Sequence, residues 1–467
     1  MQTTKPNEQK HLPSGDFTWE QFAKDCVLNK YILVVGSEAV LNKTHKPFAN
    51  GNSSEFLFDC TLRQFAETIR EEDEEATDEM VEDEYERLKK RYKTYSALVR
   101  KYGKNVKQKV RDVISGPDFT TIHIDAVEPE LKQLLSTRCF RIVLTTTIDP
   151  LVELVMKEIW GEDGFDIVDI NNIKELFKSK SHEELGEVRP TLCYVFGKVD
   201  PTKKSAENSF VLSENDAMEK ISKWFERSAD NRFLQYIRKF RILSVGNQFD
   251  DWMFRFFWFL LRGKVNAEAD GQVAVEIKDD SVLEKYMKHE NVELFPDARV
   301  FMHAAFEQIT NALDVSNFPG RGDDVFISYA HEDKYIAVPL YERLHEEGVN
   351  VWIDEQGLRP GDEYERILIK KINNCKVFLP ILSSSIMRQL ESGEAEKRWY
   401  YKEWSHMQNR YKDLSNIEKD DKRGFKIIPF VVGDFKVDTK ACQCIDNATK
   451  FEMAKETIES LIARINK

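Results

Sequence analysis

The stretch "RWYYKEW" (398–404) combines an aromatic side chain with a carboxylate. Trp399 and Glu403 are four residues apart, and side chains with this spacing are neighbours on one face of a helix. Such a pair suits a ligand that joins a flat ring to a ribose, because the ring can stack while the carboxylate accepts hydrogen bonds from the sugar hydroxyls. The alternative interpretations are that Glu403 is an ordinary surface glutamate and that Trp399 belongs to the core.

A second stretch, "FISYAHEDKYIAVPLYERL" (326–344), leads from a short apolar strand through an acidic turn into a helix. A turn that cradles phosphate groups is usually rich in glycine, and this turn contains none. In open parallel sheets, ligands bind beyond the carboxyl ends of the strands. Ser328 and Tyr329 stand at such an end, so the turn fits a pocket for a nucleoside better than a phosphate cradle.

The loop in "WIDEQGLRPGDEY" (352–364) follows the next predicted strand and is marked by a Pro-Gly pair that ends at Gly361. It is therefore expected at the same edge of the sheet. For Asp354 in this loop, and for Asp333, a structural or turn-capping role is favoured over a catalytic one. His331 is predicted to be an exposed loop histidine.

Two series of strands and helices must position these residues. Apolar runs at 31–36, 141–147, 192–197 and 241–246 alternate with helical patterns in the first series. The second begins at Asp324, with strands "VFISY", "VNVWID", "KVFLPIL" and "FKIIPFVVG" and helices near 333–347, 362–373, 396–410 and 450–465. Strands that alternate with helices predict an α/β fold with a parallel sheet in each series.

The boundary between the two series is predicted at "SNFPGRGDD" (316–324), where proline, glycines and charges interrupt a helical pattern. The predicted organisation is a polar segment (1–16), a first domain (17–315), a linker (316–323) and a second domain (324–467).

An acidic and then basic block occupies residues 71–105, inside a predicted helical insertion near 65–110. Read as one helix, the block places acids near the N-terminus and bases near the C-terminus, as the helix macrodipole favours. A solvated helix that covers one side of the first domain is the favoured interpretation, and a surface for a partner or for self-association is the alternative.

Composition limits the function classes. The chain has 81 acidic and 68 basic residues and a net charge of −13, which disfavours sequence-independent binding of nucleic acid. Its seven cysteines form no CxxC pair, which is typical of unpaired thiols in a reducing compartment, and no metal or organic cofactor is expected. The start is polar, and no apolar run reaches the roughly 18 residues of a membrane span. The prediction is a cytoplasmic protein without a membrane partner.

The stretches "DDVFISYAHEDK", "LHEEGVNVWIDEQGLRPGDEYERILIKKINNCKVFLPILSSS" and "RWYYKEW" resemble, in this order, the signature boxes of TIR domains, which have a flavodoxin-like fold. The resemblance covers roughly residues 323–467. It implies that NAD+ is the substrate, that its nicotinamide–ribose bond is cleaved, and that Glu403 is catalytic. The substrate-binding residues predicted on this basis are Phe326, Ser328, Tyr329, Trp399, Gly361 and Asp354.

The stretches "VLTTTIDPLVELV", "CYVFGKVD" and "LSVGNQFDDWMFRFF" resemble three boxes of a sirtuin-like Rossmann domain, of the kind found in prokaryotic defence proteins. The resemblance covers roughly residues 17–315. Three positions depart from the family pattern: Gly36 is alone in the turn after the first strand, Thr147 replaces an asparagine, and Phe196 replaces the catalytic histidine. Phenylalanine can neither accept a proton nor hydrogen-bond a ribose hydroxyl. A sirtuin-like fold without sirtuin chemistry is therefore predicted.

The first domain then either binds a nucleotide as a regulatory ligand or serves as an oligomerisation and sensing module, and the missing glycines favour the second. Three functions are compatible with the sequence of the whole chain. The favoured one is a TIR-domain NAD+ glycohydrolase in antiphage defence, activated by homo-oligomerisation because TIR catalysis generally needs two TIR domains, one of which supplies the loop around 355–363. The others are a non-enzymatic scaffold and a chain whose sirtuin-like half consumes NAD+. A phage or defence-system protein is the expected trigger.

Overall fold

The computed structural model of the chain describes residues 17–41, 53–116, 119, 124–169, 190–199, 210–226, 232–247, 252–262, 272–275, 292–313, 324–353, 362–393, 395, 398–416, 425–432, 449–450 and 455–466. The chain divides into two compact units, and residues from Glu307 onward belong to the second. The predicted linker 316–323 and the polar segment 1–16 lie outside the described residues, so their assignment stays a prediction.

The first unit is built on a seven-stranded sheet in which every described strand pair is parallel. The strand order is β3-β4-β2-β1-β5-β6-β7, so the chain adds strands on one side of β1 and then reverses to the other side. The strands are β1 (Tyr31–Val35), β2 (Ile142–Thr145), β3 (Asp166–Asp169), β4 (Thr191–Tyr194), β5 (Arg241–Val245), β6 (Gln272–Val275) and β7 (Val292–Phe295). The four strands predicted for this part are confirmed as β1, β2, β4 and β5.

The central strand β1 shows why this sheet forms. Its sequence "YILVV" is aromatic or β-branched at all positions but Leu33, and all five residues are buried. Continuous apolar strands of this kind are typical of parallel sheets that are covered on both faces. The helices in this part of the chain are α1 (Trp19–Val27), α2 (Ser53–Ala66), α3 (Ile69–Glu72), α4 (Asp78–Arg91), α5 (Tyr95–Tyr102), α6 (Asn105–Ser115), α7 (Pro129–Ser136), α8 (Leu151–Trp160), α9 (Glu214–Glu226), α10 (Arg232–Ile237), α11 (Trp252–Arg262) and α12 (Ala298–Ala312).

The prediction of one helix over the acidic and basic block is wrong, because the block contains several helices. The hydroxyl of Thr77 accepts a hydrogen bond from Met80 N and begins α4, and the hydroxyl of Thr94 accepts one from Ala97 N and begins α5. Side-chain caps of this kind satisfy backbone N–H groups that a helix start leaves unpaired. The macrodipole pattern applies to α4 alone, which has acids in its first turn and bases in its last.

These helices enclose a small core of their own. Buried side chains from α2, α4, α5 and α6 meet there: Leu62, Phe65, Ala66, Tyr85, Leu88, Leu98 and Val106. Helix α4 buries only Tyr85 and Leu88. Its remaining face is therefore available to solvent, as the favoured interpretation of the block predicted.

The second unit is built on a parallel sheet with the order β9-β8-β10-β12-β13, and β11 also pairs with β10. This order is that of flavodoxin-like sheets. The strands are β8 (Val325–Ser328), β9 (Val351–Ile353), β10 (Val377–Ser383), β11 (Lys426–Ile427), β12 (Phe430–Val432) and β13 (Thr449–Lys450). The helices are α13 (Lys334–Glu346), α14 (Asp362–Asn374), α15 (Ser384–Ser392), α16 (Trp399–Asn416) and α17 (Lys455–Asn466).

The predicted strands and helices from Asp324 are confirmed in their order, but helix α15 and strand β13 were not predicted and one predicted strand is divided. The run predicted as a single strand, "FKIIPFVVG", forms the two short strands β11 and β12. Pro429 lies between them, and proline has no N–H to donate to a neighbouring strand. Among the described helices, none combines the length and the apolar character that crossing a bilayer requires.

Candidate active site at the carboxyl edge of the second sheet

Ser328 is the last residue of β8, the strand that pairs with both β9 and β10. Its side chain is fully buried, and its hydroxyl therefore needs partners within the protein. This residue stands where the carboxyl ends of the parallel strands meet, which is where open α/β sheets bind ligands.

Glu403 reaches this edge from α16 and is only 1% exposed. The helix packs into the core through Tyr400, Trp404 and Met407, which recur at the spacing of one helix face. Glu403 lies directly beside that apolar face. A carboxylate this deeply buried is costly unless hydrogen bonds hold it, so its position calls for a specific partner.

The partner is Ser328, whose hydroxyl donates a hydrogen bond to Glu403 Oε2. The indole N–H of Trp404 in turn donates to Ser328 Oγ, with 3.2 Å between the two heavy atoms. The structure thus brings Ser328 and Glu403, two of the predicted site residues, into direct contact. A carboxylate at this place can accept hydrogen bonds from hydroxyl groups and can stabilise a positive charge that forms next to it.

A second pair of a serine and a carboxylate braces the same edge. Ser383 at the end of β10 donates a hydrogen bond to Asp333 Oδ2 at 2.6 Å, and it accepts one from Ile386 N in the first turn of α15 at 3.2 Å. Asp333 is fully buried. It ties the turn after β8 to the neighbouring strand, which agrees with the predicted structural role, and His331 in the same turn is exposed, as predicted.

Further contacts fix α16 against the sheet. Arg398, just before the helix, pairs with Glu332 of the turn after β8 at 3.3 Å. Two turns after Glu403, Arg410 donates to the carbonyl oxygens of Ile372 and Cys375, and its guanidinium lies 3.9 Å from the centre of the Phe425 ring. The helix is therefore held on both sides of Glu403.

Tyr400 lies one turn before Glu403, is 2% exposed and donates a hydrogen bond to Gln389 Oε1 at 3.0 Å. Burial raises the pKa of its phenol to about 12, with smaller effects of Arg398, which lowers the pKa, and of Glu332 and Asp333, which raise it. The tyrosine consequently stays protonated at neutral pH and continues to act as a hydrogen-bond donor to α15.

Phe326 lies in the packed interior of the second sheet. Its ring is fully buried, 4.6 Å from the Trp352 ring and 5.4 Å from the Phe378 ring, with both pairs stacked. These contacts assign Phe326 to packing, and a contact with substrate stays a prediction. Tyr329 follows Ser328 directly and is 2% exposed.

The other predicted substrate-binding residues cannot be located in the same way. Asp354 and Gly361 lie outside the described residues. The backbone of Trp399 begins α16, but its side chain is also outside the described part of the chain. Their assignments stay predictions.

The first sheet has its own carboxyl edge, at the point between β1 and β5 where the strand order reverses. A dinucleotide that binds there needs free backbone N–H groups in the turn after β1. Here Gly36 N donates to Val245 O at 2.8 Å, and Glu38 N donates to Gly246 O at 3.2 Å. A Cβ atom on Gly36 would overlap the carbonyl oxygen of Gly246, so the single glycine of this turn serves contact between strands.

Asn247 closes the same crevice. Its amide donates to Val34 O at 3.2 Å and to Ser244 Oγ at 3.0 Å, and its Oδ1 accepts from the hydroxyl of Thr146 at 2.9 Å. Among the described residues at this edge, the polar groups of Gly36, Glu38 and Asn247 thus bind other groups of the protein.

Thr147 and Phe196, two of the three positions that depart from the pattern expected of a sirtuin, also contact other residues of the protein. Thr147 shares a hydrogen bond of 2.9 Å with Thr145, and Asp149 Oδ1 accepts from Leu151 N at 3.1 Å at the start of α8. Phe196 is 8% exposed, and its ring lies 5.9 Å from that of Phe257.

Sequence reasoning missed two features of the second sheet, the bond from Trp404 to Ser328 and the pair of Ser383 with Asp333. A signal was present in each case: a tryptophan directly after the candidate glutamate, and a serine at the end of a buried strand. Neither signal identifies its partner, because the partners are about fifty or more residues away along the chain.

Comparison with known proteins concerns this second part of the chain. Residues 325–462 match the family model of the TIR domain. An archaeal relative, "NAD(+) hydrolase TcpA" of Theionarchaea archaeon, is 31% identical over 136 residues, which are 29% of this chain and 35% of that protein. "2' cyclic ADP-D-ribose synthase AbTIR" of Acinetobacter baumannii is 40% identical over 67 residues, 14% of this chain and 25% of that protein. "NAD(+) hydrolase PdTIR" of Paracoccus denitrificans is 36% identical over 81 residues, 17% of this chain and 26% of that protein.

The chain thus spans 35% or less of the length of each of these relatives. The family match and the parallel flavodoxin-like sheet agree in their extent along the chain. The second unit of this chain contains a TIR domain.

Proposed function

We propose that the TIR domain cleaves the nicotinamide–ribose bond of NAD+, with Glu403 as the catalytic carboxylate. The observation that carries the proposal is a buried glutamate at the carboxyl edge of the parallel sheet, held there by Ser328 at the end of β8. The names of the relatives, two NAD+ hydrolases and a cyclic ADP-ribose synthase, support NAD+ as the substrate.

The reaction needs little acid catalysis, because the nicotinamide ring of NAD+ already carries a positive charge. As the bond breaks, its electron pair goes to the ring nitrogen and positive charge forms on the ribose. A carboxylate next to the ribose stabilises that charge and orients the sugar through its hydroxyls. Water then adds to the ribose carbon with loss of a proton and gives ADP-ribose, or a hydroxyl of the same molecule adds instead and gives a cyclic product.

The test compares the full chain with its Glu403→Gln variant in a mass-spectrometric assay of NAD+ and its products. The substitution keeps side-chain size and removes the negative charge that faces the ribose. The rate is expected to fall on the order of 100-fold or more. Glu346→Gln, an equivalent change on the partly exposed end of α13, serves as the control and should retain the wild-type rate.

Near-wild-type turnover by Glu403→Gln would show that another group is catalytic. A wild-type chain that leaves NAD+ intact at high protein concentration would favour the second candidate, a non-enzymatic scaffold. The buried glutamate argues against the scaffold, since binding alone does not require a carboxylate enclosed at this edge.

We also propose that activity requires homo-oligomers in which a neighbouring TIR domain supplies the loop around 355–363. The rate per protomer should then rise with protein concentration, by mass action on assembly. Gly361→Arg in that loop should inactivate the assembly. A mixture of the Gly361→Arg and Glu403→Gln chains should regain part of the activity, because some interfaces pair an intact loop with an intact glutamate. A mixture that stays inactive, together with a constant rate across a hundredfold dilution, would contradict the shared site.

For the first unit we propose a sirtuin-like fold that has lost NAD+ chemistry and acts in oligomerisation or sensing. The closed crevice around Gly36 and Asn247 and the apolar packing of Phe196 support this. The full-length Glu403→Gln chain is expected to leave NAD+ intact, and adding Phe196→His should not create activity. Residual cleavage that disappears on a further Thr147→Ala change would assign catalysis to the first unit.

The biological setting we propose is antiphage defence, by depletion of NAD+ or release of a nucleotide signal. It rests on the resemblance of the first unit to sirtuin-like domains of defence proteins. Cells that express the wild-type chain should lose NAD+ on infection and plate phage poorly, and cells with Glu403→Gln should do neither. Equal plating on both strains across a panel of phages would contradict the proposal.

A further inference from the structure

Two neighbouring side chains of α16 converge on one hydroxyl. Glu403 accepts a hydrogen bond from Ser328 Oγ, and Trp404 donates one to the same oxygen at 3.2 Å. Consecutive residues of a helix point about 100° apart, so their convergence on Ser328 fixes both the rotation and the axial position of α16 at the end of β8.

The donor and the acceptor of each of these two hydrogen bonds follow from the chemistry of the indole, the hydroxyl and the carboxylate. An indole N–H can only donate, and an ionised carboxylate can only accept. Ser328, placed between them, uses a lone pair for Trp404 and sends its own hydrogen to Glu403. While Glu403 is ionised, the two hydrogen bonds can run only in this direction, from Trp404 to Ser328 and from Ser328 to Glu403.

The three groups are also shielded from water, since Ser328 is fully buried, Glu403 is 1% exposed and Trp404 is 7% exposed. Hydrogen bonds in such surroundings are stronger than in water, and linked bonds polarise one another. Loss of the Trp404 indole N–H should therefore weaken the hydrogen bond from Ser328 to Glu403.

We infer that Ser328 and Trp404 are positioning residues, which orient the Glu403 carboxylate through the chain from indole to hydroxyl to carboxylate. Trp404 acts on the reaction only through Ser328. This inference rests on the proposed function, since it requires Glu403 to be the catalytic carboxylate. It gives Ser328 a role different from the substrate contact predicted from the sequence.

The test is a double-mutant cycle on kcat and KM for NAD+ in the full-length chain. Ser328→Ala removes the hydroxyl with the smallest possible change in volume, and kcat should fall by about 10- to 100-fold because a hydrogen bond to a charged group is lost. Trp404→Phe keeps a buried aromatic ring and removes the N–H, and kcat should fall by about fivefold. KM should change less than about twofold in both variants, because ground-state binding is not affected.

The decisive measurement is the double variant. If Trp404 acts through Ser328, Trp404→Phe should change kcat by less than about twofold once Ser328 is alanine. A role of Trp404 in packing alone would give the same factor in both backgrounds. Met407→Leu is the matched control, since it changes a buried side chain of the same helix and core without altering this chain of hydrogen bonds, and it should retain kcat.

Several outcomes overturn the inference. An additive cycle, an unchanged kcat for Ser328→Ala, or a rise in KM alone would each do so. The proposed function would still stand in these cases, provided that the wild-type chain cleaves NAD+ and the Glu403→Gln chain does not. If Trp404→Phe does not fold, the single Ser328→Ala variant still decides whether the hydroxyl orients Glu403. A wild-type chain without NAD+ cleavage, or an active Glu403→Gln chain, overturns the proposed function and the positioning role with it.

Discussion

Replacing Phe326 by leucine separates two roles for this residue, packing in the core and contact with substrate. The ring is fully buried in the central strand β8, and its partners across the sheet are Trp352 in β9 and Phe378 in β10. The three rings form a continuous stack, with centroid separations of 4.6 Å and 5.4 Å. Leucine keeps most of the apolar volume but cannot stack, so the change removes two aromatic pairs.

Each aromatic pair contributes about 0.5–1.5 kcal/mol beyond the area it buries. Losing two pairs should therefore lower the free energy of unfolding of the second unit by about 1–3 kcal/mol. For a unit of this size, 1 kcal/mol shifts the melting temperature by about 3 °C, so a decrease of about 3–9 °C is expected. Phe378→Leu is the matched control, because it lies at one end of the stack, and should give about half this decrease.

The assay combines calorimetric unfolding of the full chain with measurement of KM for NAD+. If Phe326 serves packing, Phe326→Leu lowers the melting temperature of one transition and leaves KM within about twofold. A several-fold rise in KM with an unchanged melting temperature would refute this reasoning and support the substrate contact predicted from the sequence. Equal decreases for Phe326→Leu and Phe378→Leu would contradict the count of stacked pairs.

Three further predictions concern stability. Gly36→Ala should destabilise the first unit by about 1–3 kcal/mol in calorimetry, because the new Cβ overlaps the carbonyl oxygen of Gly246; an unchanged transition would contradict the close contact. Burial lowers the pKa of the Lys220 ammonium group to about 8, from its ordinary value of 10.5. The charged group therefore lowers the free energy of unfolding, by the full amount below pH 8 and by a decreasing amount as the pH rises to 10.5. Lys220→Met should therefore stabilise the protein by up to about 3 kcal/mol in denaturant titrations at pH 7 and by little at pH 10.5; an equal gain at both values would refute the role of charge. Arg410→Met should lower the free energy of unfolding of the second unit by about 1.5–3 kcal/mol, since two backbone carbonyl oxygens lose a charged donor, and a melting temperature within 1 °C of wild type would contradict this.

The strands of both sheets could be predicted from the sequence because parallel, buried strands are continuous apolar runs. The short strands β3, β6, β7 and β13 were missed. β3 has the sequence "DIVD", in which acidic residues flank only two apolar ones. Such strands are defined by pairing with a neighbour rather than by their own composition.

The prediction of one helix over the acidic and basic block (71–105) was wrong for a different reason. Its charge gradient fits one macrodipole, but local hydrogen bonds override that weak signal. Thr77 and Thr94 each cap a helix start, which is worth about 1 kcal/mol per cap, whereas a charge at an exposed helix end contributes about 0.3–1 kcal/mol. The threonines were present in the sequence and were the better guide to the boundaries.

Glu403 could be proposed from the sequence because "RWYYKEW" resembles a TIR box, but its place at the sheet edge was not predicted. The role of Ser328 could not be proposed, since its position at the end of β8 is compatible with binding a substrate or another side chain. Only the fold brings Ser328 and Trp404 together across 76 positions of sequence. The hydrogen-bond partner of a buried hydroxyl depends on tertiary packing, which no local pattern encodes.

The two sheets of this chain share a parallel architecture but differ in which groups form hydrogen bonds at their carboxyl edges. In each, parallel strands end at an edge where backbone groups and side chains need hydrogen-bond partners. At the first edge the N–H groups of Gly36 and Glu38 bind carbonyl oxygens of β5 and its turn, and Asn247 binds Val34 O, so these described polar groups satisfy one another. At the second edge side chains meet instead, and one of them is a carboxylate.

Hydrogen bonds of the backbone and of side chains differ in whether a ligand can join or replace them without disturbing the strands. Opening the first edge would break backbone hydrogen bonds between adjacent strands, and substitution at Gly36 is blocked by direct contact with Gly246. At the second edge a hydroxyl of a substrate can donate to a further acceptor site of the Glu403 carboxylate while Ser328 keeps its bond, and the strands are not disturbed. This difference makes the TIR domain, rather than the first unit, the place where an NAD+ ribose is expected to bind.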